Sequence, residues 1–523
     1  MLTDATGSPL SVLAEQSWAR FGDRSTMRFE GRRWSAAELG ALARRLAAGL
    51  RGLGVRPGDR VVVCMANCPE VTVTYHAAWR IGAVVTPVLF LLSEDELRHV
   101  LSDSGARIAV TTPEFAAKVH AASAGLEVDV VVSGEPSGGA LSLAELASGD
   151  EAALVRADPG EMAALLYTGG TTGRSKGVVI SHDALSNAAW SATLSGVEDE
   201  LTVSLLPLPL AHVFGLMVST MALHVVRPGH AVLMRWFEPL AWLELAQSER
   251  VQTGAVVPTM LRLLAAAPLE DYDLSALRRL ASGSAPLPAD VSAEWDRRVP
   301  HVEIGEGYGC TETAALATSS PSGRVRRGSV GRAAPRVELR IERVDGTDAR
   351  VDEDGEICVR SASLMTGYWH APQETATALR DGWFHSGDLG HLDADGYLFV
   401  VDRIKDVIIR GGFNVYPRDV EEVFTSHPDV ANCAVIGRED REHGEEVIAF
   451  VQLRPGASTT ADELRAFGRE HLSAVKYPRE VHLIEQLPLT SIGKLDRKAL
   501  RVRTPSPGSD LAEDRPAQHV QPE

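Results

Sequence analysis

At 523 residues the chain exceeds what one ordinary hydrophobic core supports, so two or more domains are predicted. Hydrophobic residues make up 45% and charged residues 23%, the balance of a soluble globular protein, and a net charge of −18 argues against nucleic acid bound through a basic surface. No apolar run reaches membrane-spanning length, residues 1–11 lack the pattern of a secretion signal, and the scattered cysteines Cys64, Cys68, Cys310, Cys358 and Cys433 fit a reducing cytoplasm better than a disulfide framework.

Residues 34–53 interleave apolar residues with arginine and glycine, which predicts an amphipathic helix ending near Gly54. Gly58-Asp59-Arg60 turns into a strand over 61–64, a helix carries Pro69-Glu70, a strand opens over 82–87, and 95–102 reads as a helix. This rhythm predicts α/β layers and offers no catalytic residue. Cys64 and Cys68 have no second Cys/His pair nearby and are assigned to the core rather than to zinc. The Gly/Ser-rich residues 133–149 predict a loop or subdomain joint.

Two apolar runs, 163–166 and 178–180, then flank Tyr167-Thr168-Gly169-Gly170-Thr171-Thr172-Gly173-Arg174-Ser175-Lys176-Gly177, predicting a loop between two strands. Glycines let backbone N–H groups crowd an anion, hydroxyls donate to phosphate oxygens, and Lys176 supplies positive charge. A P-loop would end in Gly-Lys-Ser/Thr and lead into a helix; here Ser175 precedes the lysine and a strand follows.

The order of residues in this loop resembles the phosphate loop of the adenylate-forming ligases, the superfamily of acyl-CoA synthetases, non-ribosomal adenylation domains and beetle luciferases. The resemblance extends over nearly the whole chain. It implies a large N-terminal domain of several α/β subdomains over 1–401, a hinge at 402–405, and a small mobile α+β domain over 406–503. The polar, proline-bearing residues 504–523 are predicted to be disordered.

The same resemblance implies ATP, Mg²⁺ and coenzyme A as ligands and gives roles to particular residues. Thr168, Gly169, Gly170, Thr171, Thr172, Gly173 and Lys176 are implied to hold phosphates, and Ser284, Ala285 and Pro286 to face the adenine. In Gly307-Tyr308-Gly309 the ring of Tyr308 can lie on a purine because its neighbours carry no side chains. Thr311 is placed to donate to the α-phosphate and Glu312 to hold Mg²⁺. Asp388 and Arg403 are implied to meet the ribose. Arg410, Gly411 and Gly412 are implied to border the CoA channel, and Lys494 in Thr490-Ser491-Ile492-Gly493-Lys494 is the family's catalytic lysine. His182 opens a helix and is assigned to capping or packing. His212 matches the family's acid-pocket position.

For the acid, Val213, Phe214, Gly215, Leu216, Val257 and Pro258 predict an apolar pocket, with Gly215 and Gly309 leaving room for a chain or ring. A fatty acid is the leading expectation and an aryl or cinnamic acid the alternative. Ile409 stands where coumarate-type ligases often have lysine, which leans away from that branch. An acyl carrier protein in place of CoA is a further alternative acceptor.

Overall fold

The computed structural model describes residues 7–136, 138–168, 175–196, 201–227, 229–489 and 495–503, and every count or absence below refers to these. The chain divides into two compact units, Met1–Ser386 with His391–Phe399, and Gly387–Gly390 with Val400–Glu523. The division falls at Val400, inside the strand Leu398–Arg403. That strand pairs with Trp383–Leu392, and Gly387–Gly390 of the latter groups with it. Residues 402–405 thus belong to the second unit.

In the first unit, strand Arg60–Cys64, helix Pro69–Arg80, strand Val84–Pro87 and helix Glu94–Asp103 follow the predicted rhythm. Helix Ala36–Gly52 starts from a capping box in which Ser35 Oγ accepts from the Glu38 N–H and the Glu38 carboxylate accepts from the Ser35 N–H. These strands join an eight-stranded sheet that is parallel at its centre, so both its faces are covered and Val61, Val62 and Val63 are fully buried. Residues 133–149 are more than a loop: Leu141–Ser142 adds a strand to this sheet and helix Leu143–Leu146 follows, anchored by the buried Leu143.

A nine-stranded sheet runs parallel from Ser25–Phe29 through His230–Leu233, Val203–Leu206, Thr253–Val256 and Arg279–Ser282 to Glu303–Tyr308. The last strand is longer than the predicted 301–304, so Gly307 and Tyr308 form its end and do not begin a loop. Trp242, Trp295, Leu261 and Leu280 fill the core beside it.

The second unit is a five-stranded sheet built on the hairpin of Val430–Asp440 with Gly444–Leu453, and helices Pro417–Thr425 and Ala461–His471 belong to the same α+β layer. Val420, Phe424, Val435 and Leu464 make its core. No helix in the described residues is long and apolar enough to cross a membrane.

Candidate active site

Strands Met162–Thr168 and Lys176–Ser181 are antiparallel neighbours, with Thr168 opposite Lys176. The loop they present, with Gly169, Gly170, Thr171, Thr172 and Gly173, lies outside the described residues. Its base is firmly held: the Tyr167 hydroxyl donates to Asp103 Oδ2 at 2.6 Å, and His99 Nε2 lies 3.1 Å from the Ser175 carbonyl. Gly177 belongs to packing rather than to phosphate, because a Cβ there would come within 2.9 Å of Leu165 Cδ1 and 3.0 Å of Trp369 Cβ. Lys176 Nζ lies 3.8 Å from Glu374 Oε1 and 5.5 Å from the centre of the Tyr368 ring.

Thr311 and Glu312 sit in the short 3-10 turn Thr311–Thr313, followed by Ala314 (φ 49°) and Ala315 (φ 83°) in the left-handed region. Such backbone costs on the order of 1–3 kcal/mol per residue and persists only when its surroundings enforce it. Here the turn is pressed against Gly309, where a Cβ would fall 2.2 Å from the Ala315 carbonyl oxygen. Gly309 is therefore required by backbone contact, and the expectation that it leaves room for the acid is corrected. The Tyr368 hydroxyl donates to Glu312 Oε1 at 2.9 Å, and the Met365 N–H donates to the Glu312 carbonyl at 2.8 Å. The sequence reading passed over Tyr368; its one signal was the Gly367-Tyr368-Trp369 step in a polar stretch.

Ser284, Ala285 and Pro286 are exposed, with Ser284 at φ 71°, and the loop is tied down where the Leu287 N–H donates to Glu306 Oε2 at 3.0 Å. Strand pairing sets Ser282 opposite Glu306, two residues before the half-buried Tyr308. The structure thus brings the Ser284-Ala285-Pro286 loop beside the Gly307-Tyr308-Gly309 strand end.

His212 is the N-cap of helix Val213–Met221, and its Nδ1 accepts from the Phe214 N–H at 3.4 Å. The segment before it is positioned by Asn67, a residue without a sequence motif: Asn67 Nδ2 donates to the Leu208 and Met234 carbonyls at 2.9 and 3.0 Å, and its Oδ1 accepts from the Leu210 N–H at 2.7 Å. The Tyr75 hydroxyl also donates to the Leu210 carbonyl. A small apolar cavity lies here, lined by Leu206, Leu208, Leu210, Phe214, Gly215, Val218 and Ala255. Of the predicted pocket residues, Phe214 and Gly215 line it, whereas Val213 and Leu216 turn into the core and Val257 and Pro258 are not in its wall. Gly215 is glycine for a backbone reason, since a Cβ there would come within 2.4 Å of Leu210 Cα. His182 is buried against Trp79, as its packing assignment anticipates, and burial lowers its pKa to about 4.

In the second unit, Arg403 Nε lies 3.1 Å from Asp388 Oδ1. Burial and the neighbouring Arg403 push the Lys405 ammonium down. Strands Ile408–Arg410 and Phe413–Val415 pair with Arg410 opposite Phe413, and Gly411 and Gly412 make the turn at φ 58° and 82°. Two successive left-handed residues define a tight hairpin turn that glycine adopts most readily. Arg410 is buried, with Nε and Nη2 donating to the two oxygens of Glu446 at 2.7 and 3.0 Å. Its guanidinium is thus engaged inside the protein. Lys494 lies outside the described residues, as do 504–523; Leu489 and Leu495 form an antiparallel bridge on either side of the lysine's segment.

Glu342, Cys358 and His385 place ligand-type atoms within 4.8 Å of one another, a grouping that sequence spacing did not suggest. Both nearby carboxylates already face arginine: Arg340 pairs with Glu342, and Arg380 Nη2 lies 3.1 Å from Glu356 Oε2, which is also 2.9 Å from His385 Nδ1. The cluster is a charge-balanced network whose burial pushes the Cys358 thiol up to about 12.

The chain matches the family model of AMP-binding enzymes over residues 14–369 and that of the AMP-binding enzyme C-terminal domain over 419–494. It is 39% identical over 495 residues to a feruloyl-CoA synthase from Amycolatopsis sp, covering 93% of this chain and 97% of that protein. It is 32% identical over 530 residues to a long-chain-fatty-acid–CoA ligase from Bacillus subtilis (strain 168), covering 94% of each. Among solved structures, ATP-bound MatB from Rhodopseudomonas palustris superposes with a TM-score of 0.85 at 32% identity, covering 94% of this chain and 98% of that one. The chain belongs to the AMP-binding enzyme family.

Proposed function

We propose that this protein activates an apolar carboxylic acid with ATP and transfers the acyl group to coenzyme A. The observation that carries this reading is the convergence of Lys176, which directly follows a glycine- and hydroxyl-rich sequence, with Tyr368 and Glu312 in an AMP-binding enzyme. A carboxylate is a poor acyl donor because its oxygen does not leave. Attack of the carboxylate oxygen on the α-phosphorus expels pyrophosphate and gives acyl-AMP, from which a thiol sulfur displaces AMP at the acyl carbon. The acid arrives ionised, so the first half needs no general base, and positioning with electrostatic stabilisation does the work.

In this reading, residues 168–176 hold the β,γ-phosphates, Tyr308 lies against adenine, and Thr311 donates to the α-phosphate. Asp388 and Arg403 meet the ribose, His212 borders the acid, and Lys494 bridges the acid and the α-phosphate. The donor set fits Mg²⁺: Glu312 offers a hard carboxylate whose Oε1 is taken by Tyr368, while Oε2 makes no hydrogen bond among the described residues. When bound there, the ion would neutralise charge on the phosphates. Gly411 and Gly412 border CoA in the second half, reached by rotation about 402–405. Arg410, paired with Glu446, supports that turn from within the fold.

The apolar side chains gathered around Phe214 and Gly215 favour an acid without a second charge. An arylpropenoic acid leads, supported by the 39% identity to feruloyl-CoA synthase. A fatty acid, the leading reading from sequence, is supported by the 32% identity to the Bacillus ligase. The test is mass spectrometry of products from ATP, Mg²⁺, CoA and an equimolar pool of ferulate, indoleacetate and dodecanoate. Aryl-CoA products in excess are expected, and dodecanoyl-CoA in excess overturns the aryl assignment. Acyl-AMP without thioester moves the acceptor to a carrier protein, and absence of both products defeats the ligase reading.

A further inference from the structure

Tyr368 touches both halves of the candidate nucleotide site. It ends the short strand Gly367–Tyr368, which lies antiparallel to Lys176–Ser181 with Tyr368 opposite Val178. The strand is clamped on both sides: the Thr366 N–H donates to the Val179 carbonyl at 2.9 Å, and the Trp369 N–H donates to the Gly177 carbonyl at 2.7 Å. From the other side, Thr375 Oγ1 accepts from the Tyr368 N–H at 2.8 Å, and a Cβ on Gly367 would fall within 2.8 Å of the Thr375 methyl. The backbone of Tyr368 is thus fixed to the strand that leaves the phosphate loop, while its hydroxyl reaches Glu312 Oε1 at 2.9 Å. The adjacent Met365 N–H holds the Glu312 main chain. Glu312 is therefore tied by backbone and by carboxylate to the element that carries Lys176.

We propose that Tyr368 is a positioning residue that orients the Glu312 carboxylate for a divalent cation, rather than a residue that touches nucleotide or acid itself. The inference rests on the assignment of Glu312 to Mg²⁺ above. A donor on Oε1 fixes the plane of the carboxylate and leaves Oε2 to the ion. Mg²⁺ demands near-ideal geometry, and loss of a hydrogen bond behind a ligand typically costs 10–100-fold in metal affinity. The phenol suits this task because it offers one hydroxyl donor on a side chain whose backbone is already fixed. Its ring also lies 5.5 Å from Lys176 Nζ, which makes phenylalanine the clean probe: the ring stays and only the hydroxyl goes.

The experiment is calorimetric titration of ATP into the full-length enzyme with and without Mg²⁺, with AMP as a metal-free control. In Tyr368→Phe the factor by which Mg²⁺ tightens ATP binding is expected to fall about tenfold or more, while AMP affinity is unchanged. In a Glu312→Ala background the same substitution is expected to add nothing further, as for two residues acting as one unit. An unchanged Mg²⁺ factor in Tyr368→Phe overturns the proposal, as does an equal loss of AMP affinity or an undiminished effect in the Glu312→Ala background. Because the readout needs neither acid nor CoA, it separates the two claims. A wild type that shows the contrast yet makes no acyl-CoA defeats the ligase reading alone. One that makes acyl-CoA without the contrast defeats this inference alone.

Discussion

A buried charge is tolerable only when its partner is in place, and Arg410 illustrates the rule. Its pairing with Glu446 through two hydrogen bonds satisfies a guanidinium that the fold encloses. Glu446→Ala leaves that charge uncompensated and is expected to cost about 3–5 kcal/mol, read as a lower urea midpoint for the second unit's unfolding. Acid sensitivity has a residue-scale origin in the first unit. Burial lowers the pKa of His76 and of His182 to about 4, and both rings pack against Trp79. Between that value and the unfolded 6.5, the unfolded chain binds the protons that the folded one refuses. Stability is therefore full above 6.5 and is lost as pH falls toward 4, by on the order of 3 kcal/mol for each histidine. Thermal midpoints measured from pH 7 to 4.5 are expected to decline over that window, and a flat profile would contradict the assignment.

Among elements, the turn carrying Thr311 and Glu312 is the most constrained. Two left-handed alanines and the close approach of Ala315 to Gly309 leave it one conformation. Gly309→Ala places a methyl against a carbonyl oxygen and must displace the turn, so acyl-AMP formation is expected to fall 100-fold or more with the thermal midpoint moving by only a few degrees. Pyrophosphate exchange and a melting curve measure the two effects. The Asn67 link holds the segment before His212 in a comparable way. Asn67→Ala leaves the Leu208, Leu210 and Met234 backbone groups without partners inside the core, and a loss of about 2–4 kcal/mol is expected by denaturant titration.

For the whole molecule, the proposed two-step chemistry would have one small unit present two faces in turn, Lys494 for adenylation and Gly411-Gly412 for thiolysis. Lys494→Ala is expected to abolish acyl-AMP formation while supplied acyl-AMP is still converted to thioester. Lys405→Pro, which restricts backbone rotation at the proposed hinge, is expected to slow thiolysis more than adenylation. Single-turnover assays of each half separate these outcomes, and equal loss of both halves in Lys494→Ala would sink the two-face scheme.

Where information is local, the sequence sufficed. Apolar runs and helical periodicity depend on neighbours within a few residues, and helix Ala36–Gly52 and the pair of strands Met162–Thr168 and Lys176–Ser181 follow from such patterns. The family was legible because its motifs are short and contiguous. What tertiary structure alone decided are meetings of residues far apart in the chain. Tyr368 reaches Glu312 because a short strand crosses to Lys176–Ser181, and Asn67 holds Leu208 and Leu210 because two sheets converge. It also revealed why certain glycines are glycine: at Gly215 and Gly309 a backbone from elsewhere passes too close for any side chain, a reason that exists only once the chain has folded.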